Sequence, residues 1–362
     1  MSKPIRVIIV DDSALVRDIL SAGLSADPAL EVVGTAADPF EAGEKIPVLK
    51  PDVMTLDVEM PRMNGLEFLR RLMPQYPLPV VMVSALTEKG KQLTMDALSL
   101  GAVDFVAKPK ANLTNGMEDL LSELIVKIKI ASNAKLLRFK TSPSGVTQVV
   151  NKQDVIDRVA AANSVEPATR LSNKVIIIGA STGGTEAVRE VVTRFPAQTP
   201  GVLVVQHMPG GFTRLFANRL GSETAMKAKE AEDGDTILQG RILVAPGGKQ
   251  MRVRENAGGG FAVNIVEEPS ENGHAPSVNT TMSSVAKVVG NSAIGVILTG
   301  MGADGADSMK ELRGTGARCF AQDEATSVVF GMPNEAYKRG GAERLVPISE
   351  MAKVILDCLA GK

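Results

Sequence analysis

The chain has no tryptophan, and aromatic residues make up only 3% of its 362 positions. Its cores must therefore rest on Val, Ile, Leu, Ala and Met. There are two cysteines, Cys319 and Cys358. That excludes a disulfide framework and any metal-like cysteine spacing, so both are expected to be reduced and buried. The formal net charge is −1, which gives no electrostatic reason to expect a nucleic acid partner. No apolar run approaches the roughly 20 residues that cross a bilayer. The opening Met-Ser-Lys-Pro-Ile-Arg runs into a strand and carries no signal-peptide pattern. A soluble, cytoplasmic protein without membrane insertion is expected, and a monomer. Only two histidines, His207 and His274, are present as candidate general bases.

What is present is a doubled α/β pattern. The length exceeds that of a typical single domain, and 44% hydrophobic with 22% charged residues is ordinary for a globular protein. From Pro4 to about Ile130 short apolar strands alternate with amphipathic segments. Helices are expected after Ser13, whose hydroxyl can cap Ala14–Leu20, and over Pro39–Leu49, Gly65–Met73, Lys91–Leu100 and Met117–Ile130. Strands of nearly pure Val, Ile, Leu and Met indicate a parallel sheet covered on both faces. The pattern fades between Ala131 and Asn173, which reads as a linker with a short helix at Val155–Ala162. It resumes with strands at Lys174–Gly179, Gly201–Val205, Arg241–Val244, Ile294–Leu298 and Ala317–Ala321. Helices are expected there at Thr185–Arg194, Phe212–Leu220, Val278–Val289 and Met351–Ala360. Gly258-Gly-Gly260 between apolar runs marks a β-hairpin within Met251–Ile265. The expected fold is α/β, with two doubly wound parallel-sheet domains. The first spans 3–123, its last helix and the linker 124–171, and the second 172–362.

In the first domain, chemistry-bearing residues gather at strand ends. Asp57 ends the strand in Asp52-Val-Met-Thr-Leu-Asp57. Asp11 and Asp12 follow Ile5–Val10. Ser84 closes Val80–Val83, and Lys108 follows Asp104–Ala107 ahead of Pro109. In an open parallel sheet those ends converge on one crevice. Asp12 and Asp57 can supply carboxylate oxygens to Mg²⁺, and the backbone near Glu59 a further oxygen. The Asp57 carboxylate can then act as nucleophile on phosphorus, with Lys108 and the Ser84 hydroxyl holding the phosphoryl oxygens. Any one of these aspartates alone reads as well as a helix cap; the ordered set does not.

That set resembles the response-regulator receiver family. The resemblance implies a flavodoxin-like fold, Asp57 as phosphoacceptor, Asp11 and Asp12 as the acidic pair of the metal site, and Ser84 and Lys108 as phosphoryl-binding residues. It also implies Phe105 as the switch aromatic, Mg²⁺ as cofactor and a histidine kinase of the CheA type as donor.

In the second domain, Gly179-Ala-Ser181-Thr-Gly183-Gly184 lies between a strand and a helix, a setting that can expose a hydroxyl on a sharp turn. His207, in Gln206-His-Met-Pro209, and Asp304, in Thr299-Gly-Met-Gly-Ala-Asp304-Gly305, also follow strands. His274 lies in a loop-like segment and is the weaker base candidate. A nucleophile, base and orienting acid fit this set. A phosphate-binding loop of a nucleotide or partner-binding domain remains an alternative, as does a purely structural turn. The loop matches neither the dinucleotide fingerprint nor the P-loop.

Six segments resemble the CheB protein-glutamate methylesterase family: Gly179–Gly184, Gln206–Pro209, Leu298–Gly305, Glu230–Gly234, Val244–Gly247 and Val329–Pro333. The resemblance implies a Rossmann-like esterase domain with Ser181 as nucleophile, His207 as base, Asp304 as the residue orienting the imidazole, and the Met301 N–H in the oxyanion hole. It implies phosphorylation-activated hydrolysis of glutamate γ-methyl esters on chemoreceptors, releasing methanol, with deamidation of receptor glutamines by the same chemistry. It also implies that the unphosphorylated receiver restrains the esterase. No cofactor is implied for the esterase step. Two departures from the family pattern stand out. Ala303 replaces a common Asn and Asn279 a common Asp, and neither is expected to touch the triad.

Overall fold

Five short apolar segments of the first unit become strands: β1 (Ile5–Val10), β2 (Leu30–Ala36), β3 (Val53–Asp57), β4 (Val80–Ala85) and β5 (Asp104–Lys108). They form one sheet in the order β2-β1-β3-β4-β5 with every pairing parallel. Helices α1 (Ala14–Ser25), α2 (Pro39–Leu49), α3 (Gly65–Leu72), α4 (Glu88–Ser99) and α5 (Leu113–Ala131) connect and cover them. The computed structural model describes residues 3–85, 87–109, 113–134 and 173–361, in two units, 1–145 and 146–362. The linker reading of 131–173 and its helix at Val155–Ala162 fall almost wholly outside the described residues.

Local chemistry fixes most helix starts. The side chains of Ser13, Asp38, Asn64 and Thr87 each accept a backbone N–H from the first turn of the helix they precede. Thr87 explains why α4 begins before Lys91: its hydroxyl takes the Gly90 N–H at 2.8 Å. All five residues of β3 are buried, as a sheet covered on both faces requires. The strand order reverses at β1, between β2 and β3. The crevice at the carboxyl ends of β1 and β3 is therefore the topological switch point.

The second unit is a seven-stranded sheet in the order β14-β13-β12-β6-β7-β9-β8, again with every pairing parallel. Its strands are β6 (Val175–Ala180), β7 (Gly201–Gln206), β8 (Lys227–Glu230), β9 (Arg241–Val244), β12 (Ala293–Ile297), β13 (Arg318–Gln322) and β14 (Arg344–Val346). A separate antiparallel hairpin pairs β10 (Gln250–Glu255) with β11 (Phe261–Val266). The helices are α6 (Gly184–Val192), α7 (Phe212–Glu223), α8 (Val278–Val288), α9 (Ala306–Gly314), α10 (Met332–Lys338) and α11 (Ile348–Leu359).

Four of these elements were not read from the sequence. The edge strands β8, Lys-Ala-Lys-Glu, and β14 are short and carry charges, so no apolar run announces them. Helix α9 lacks a capping side chain of its own, and the seven-residue α10 is too short for a clear period. The core beneath the central strands joins Ile177 and Leu203 of the sheet to Val278, Met282 and Val285 of α8 and to Val263 of the hairpin. Both cysteines are free, and only Cys319 is fully buried. Burial pushes the Cys319 thiol up to about 12, which leaves it inert. Among the described residues no helix is long and apolar enough to cross a membrane.

Candidate active site and acidic pocket

Strand register places the second unit's site. Chain order reverses at β6, which lies between β12 and β7. Ala180, the last residue of β6, pairs with Gln206 at the end of β7, and Gly179 pairs with Ile297 near the end of β12. The residues that follow therefore meet at one edge. His207 N donates to Ala180 O at 3.1 Å, and Ser181 N to Thr299 O at 3.0 Å. Ser181, His207 and the Thr299–Asp304 loop thus leave three adjacent parallel strands at their carboxyl ends.

Asp304 is 5% exposed, and every polar neighbour favours its ionised form. Its carboxylate meets His207 Nε2 at 2.8 Å, the Ser277 hydroxyl at 2.9 Å, and the backbone N–H groups of Val278 and Asn279 at 2.7 and 3.1 Å. These last three donors are the N-terminus of α8, where free N–H groups and the helix dipole attract an anion. Burial pushes the carboxyl up. The His207 bond and charge, with the Val278 and Asn279 N–H groups, outweigh burial and hold it below the usual range.

Because Asp304 takes Nε2, the other imidazole nitrogen is the one available to a substrate or nucleophile. His207 Nδ1 is buried with no partner. Among the described residues no hydrogen bond joins the Ser181 hydroxyl to His207, so the structure brings base and acid into contact and leaves the serine beside them. The His274 ring stacks on His207 with centroids 3.8 Å apart and planes 9° from parallel. Burial, and then the charge of His207, outweigh the pull of Asp304 and push His274 down to about 4. It is a neutral platform for the imidazole and does not replace it. The backbone N–H of Met301 makes no hydrogen bond among the described residues, and the residue is 46% exposed.

Sequence reasoning passed over the polar residues that hold this turn. Gln206, 3% exposed, donates through Nε2 to the carbonyls of both Ser181 and His207, at 2.9 and 3.3 Å. Its Oε1 is buried without a partner, against Gly184: a Cβ there would lie 2.2 Å from it. The Thr299 hydroxyl binds Thr182 O at 3.0 Å, and Thr299 N is held by Gln322 at 2.8 Å. Gln250 of the hairpin ties down the segment before α8, accepting from Ser277 N and donating to His274 O, both at 2.9 Å. A polar residue at a buried strand end was the available signal for Gln206 and Gln322. Ser277 and Gln250 carried none. Asn279 corrects an expectation: its backbone touches Asp304 directly. Among the described residues Ala303, its chain neighbour, makes no hydrogen bond to the Asp304 carboxylate.

In the first unit the carboxylates of Asp11, Asp12 and Asp57 come within 4.8 Å of one another. Asp11 and Asp57 are buried, Asp12 exposed. Lys108 Nζ bridges Asp11 at 2.9 Å and Asp57 at 3.0 Å. One ammonium against three carboxylates leaves uncompensated negative charge. Burial first, and the Asp11 charge in addition, push Asp57 up to about 6 against the pull of Lys108. The same two carboxylates outweigh burial at Lys108 and raise it. An all-oxygen donor set with excess negative charge suits a hard divalent cation such as Mg²⁺. The Glu59 carboxylate lies outside the three-carboxylate group; it meets the Thr87 hydroxyl at 3.4 Å.

Ser84 and Phe105 are both buried. The Ser84 hydroxyl is fully buried and points at α4, accepting from Thr94 Oγ1 at 2.6 Å and lying within reach of the Ala85 and Gly90 carbonyls. Among the described residues no hydrogen bond joins it to Asp57. Phe105 is 3% exposed, with the Lys127 ammonium 5.3 Å from its ring centre.

Comparison with known proteins gives both units a family. Residues 176–355 match the family model of CheB methylesterase, and residues 7–118 that of the response regulator receiver domain. A protein-glutamate methylesterase/protein-glutamine glutaminase of Syntrophotalea carbinolica is 56% identical over 360 residues, covering 99% of each chain. One from Albidiferax ferrireducens is 47% identical over 359 residues, 99% of this chain and 95% of that one. The crystal structure of the Thermotoga maritima CheB methylesterase catalytic domain aligns with a TM-score of 0.50 at 33% identity, covering 51% of this chain and 98% of that one.

Proposed function

The chain belongs to the CheB methylesterase family, and from that premise we propose how its own residues carry the activity. It is a hydrolase, a protein-glutamate methylesterase and protein-glutamine glutaminase of chemotaxis, with a receiver domain in the same chain. Ser181 is the nucleophile, His207 the general base, and Asp304 the residue that fixes the imidazole. The observation that supports these roles best is the Asp304–His207 Nε2 bond, which leaves Nδ1 buried and unpartnered where β6 and β7 end together.

That geometry supports the following reaction. The Ser181 hydroxyl gives its proton to His207 Nδ1 as its oxygen attacks the γ-carbonyl of a receptor glutamyl methyl ester. Asp304 stabilises the imidazolium through Nε2–H. The tetrahedral oxyanion is held by the Met301 N–H, which is otherwise unengaged. His207 returns the proton to the departing methoxide and methanol leaves. Water then attacks the glutamyl-enzyme with His207 again as base, releasing the glutamate and Ser181. With a glutamine substrate the leaving group is ammonia and the steps are otherwise the same.

Asp57 is the phosphoacceptor, and Lys108 and Ser84 bind the phosphoryl oxygens. Asp11, Asp12 and Asp57 would hold Mg²⁺, with the chain at Glu59 contributing a further oxygen. When bound there, Mg²⁺ would offset the repulsion between a phosphoryl group and the acidic cluster. Lys108 neutralises part of that charge and positions the Asp57 oxygen. Phe105 is the switch aromatic. Chemoreceptors are the substrate and a CheA-type histidine kinase the donor. The domains run 3–123 and 172–362.

The test is methanol release from methylated chemoreceptor membranes with Mg²⁺, with and without a small phosphodonor. Release that rises with the donor supports esterase and control together. Release indifferent to the donor keeps the esterase and removes the control. Absence of release under both conditions refutes the reading.

A further inference from the structure

Asp304 and Asn279 cap one another's helices. Asp304, two residues before α9, accepts the N–H groups that open α8. Asn279, in the first turn of α8, returns the contact. Its Oδ1 accepts from Gly305 N at 3.0 Å, from Ser308 Oγ at 2.9 Å and from Ser308 N at 3.4 Å. Gly305 starts α9 at φ 92° and has no side chain to cap it, so Asn279 supplies that cap from another helix. The Gly305 backbone is tightly held from the other side as well, since a Cβ there would lie 2.6 Å from Val278 Cγ1.

We propose that Asn279 is a positioning residue for the esterase: by capping α9 it sets the place of the Asp304 carboxylate and, through it, the His207 imidazole. The proposal rests on the triad reading above. Its physical content is that Asp304 lies one bond from the peptide Asn279 holds. A loose start to α9 lets the carboxylate slide along the α8 terminus, and a displacement of this kind in a triad costs rate steeply. Only an acceptor is needed at this position, because all three donors are N–H or O–H. A neutral amide supplies one without adding charge to the junction. The ionisable groups around it are Asp304 and His274 on the triad side, Glu271, which the Thr280 hydroxyl binds, and Asp307, which pairs with Arg339. Loss of a single side-chain cap loosens the first turn of a helix while the fold survives.

The experiment compares Asn279→Ala and Asn279→Asp with the full-length wild type, by kcat and KM for methanol release across pH. Asn279→Ala is expected to lower kcat about tenfold with KM within twofold. It should also weaken the downfield proton resonance of the His207 Nε2–H bond. Asn279→Asp keeps the acceptor and is expected to restore kcat at high pH. Its extra negative charge favours the imidazolium, so the acid limb of the pH–rate profile moves to higher pH. If Asn279→Ala does not fold, the Asp variant decides alone: an unmoved acid limb overturns the proposal. Unchanged kcat and resonance in a folded Ala variant also overturn it. An inactive wild type would instead refute the triad reading, which separates the two failures.

Discussion

Asp304 Oδ2 lies 2.8 Å from His207 Nε2, and the other nitrogen of that ring is buried without a partner. The pair fixes the tautomer: the proton sits on Nε2 and the lone pair on Nδ1. Nitrogen NMR of the resting enzyme should show Nε2 protonated near neutral pH, and a resting Nδ1–H form contradicts the assignment. Ser181→Ala or His207→Ala should each cost on the order of 10⁴–10⁶ in kcat. Asp304→Asn should cost less than the larger of these losses, on the order of 10⁴. The substituted amide still offers an oxygen to the start of α8 but no charge to the imidazolium.

The buried carboxylate of Asp57 makes the receiver's stability depend on pH. Burial raises its pKa from 3.8 to about 6. The native state therefore binds a proton more tightly than the unfolded chain. That contribution is complete below pH ~4 and is lost as pH rises through ~6. Asp57→Asn removes the cost of ionising the buried acid. The variant should match the wild type in stability near pH 4 and exceed it above pH 7 by on the order of 3 kcal/mol at most, with a correspondingly higher melting temperature. Melting curves at the two pH values check this; a gap that is equal at both, or larger in acid, contradicts it.

The Thr94 hydroxyl holds the Ser84 hydroxyl against α4, and Ser84 is the residue proposed above to bind the phosphoryl group. The Thr94 hydroxyl meets Ser84 Oγ at 2.6 Å and Gly90 O at 2.7 Å. A hydrogen bond of this kind is worth about 1 kcal/mol net, which corresponds to about a fivefold shift between two orientations of Ser84. Thr94→Val keeps the shape and removes the bond. It should raise the steady-state phosphorylated fraction at limiting donor, and the esterase rate with it. Phosphorylation no higher than in the wild type would show that Thr94 is a packing contact only.

Much of this was legible in the sequence because it is local. Asp57, Ser181 and His207 each end an apolar run, so strand and site announce each other within six residues. Ser13 and Pro39 mark helix starts within one turn. What was hidden is what the sheet brings together from afar. Asp304 is satisfied by Ser277, Val278 and Asn279, and no short-range pattern connects a Gly-Ala-Asp-Gly loop to the start of a helix so far upstream. Asn279 read as a peripheral departure for the same reason. Helix α9 was missed because its cap lies on α8. The inward orientation of Ser84 depends on Thr94, a residue unremarkable in the sequence of α4.

Gln206 and Gly184 should behave as one unit. Gln206 fastens the backbones of Ser181 and His207 through a single Nε2, and it fits only because residue 184 has no side chain. Gln206→Leu keeps much of the volume, strands the His207 carbonyl and leaves the Ser181 carbonyl with the Gly184 N–H alone, a loss of about 1–3 kcal/mol. The Ser181 turn then moves relative to the imidazole, so kcat should fall ten- to a hundredfold with little change in KM. Gly184→Ala forces the glutamine out of the same place and also meets Ala180 Cβ, 2.7 Å from the added Cβ, so its fall should be at least as large. The double variant should be little worse than Gly184→Ala alone, because the glutamine is already displaced there. Additive losses across this cycle would mean that Gly184 serves the start of α6 and Gln206 the turn, each independently.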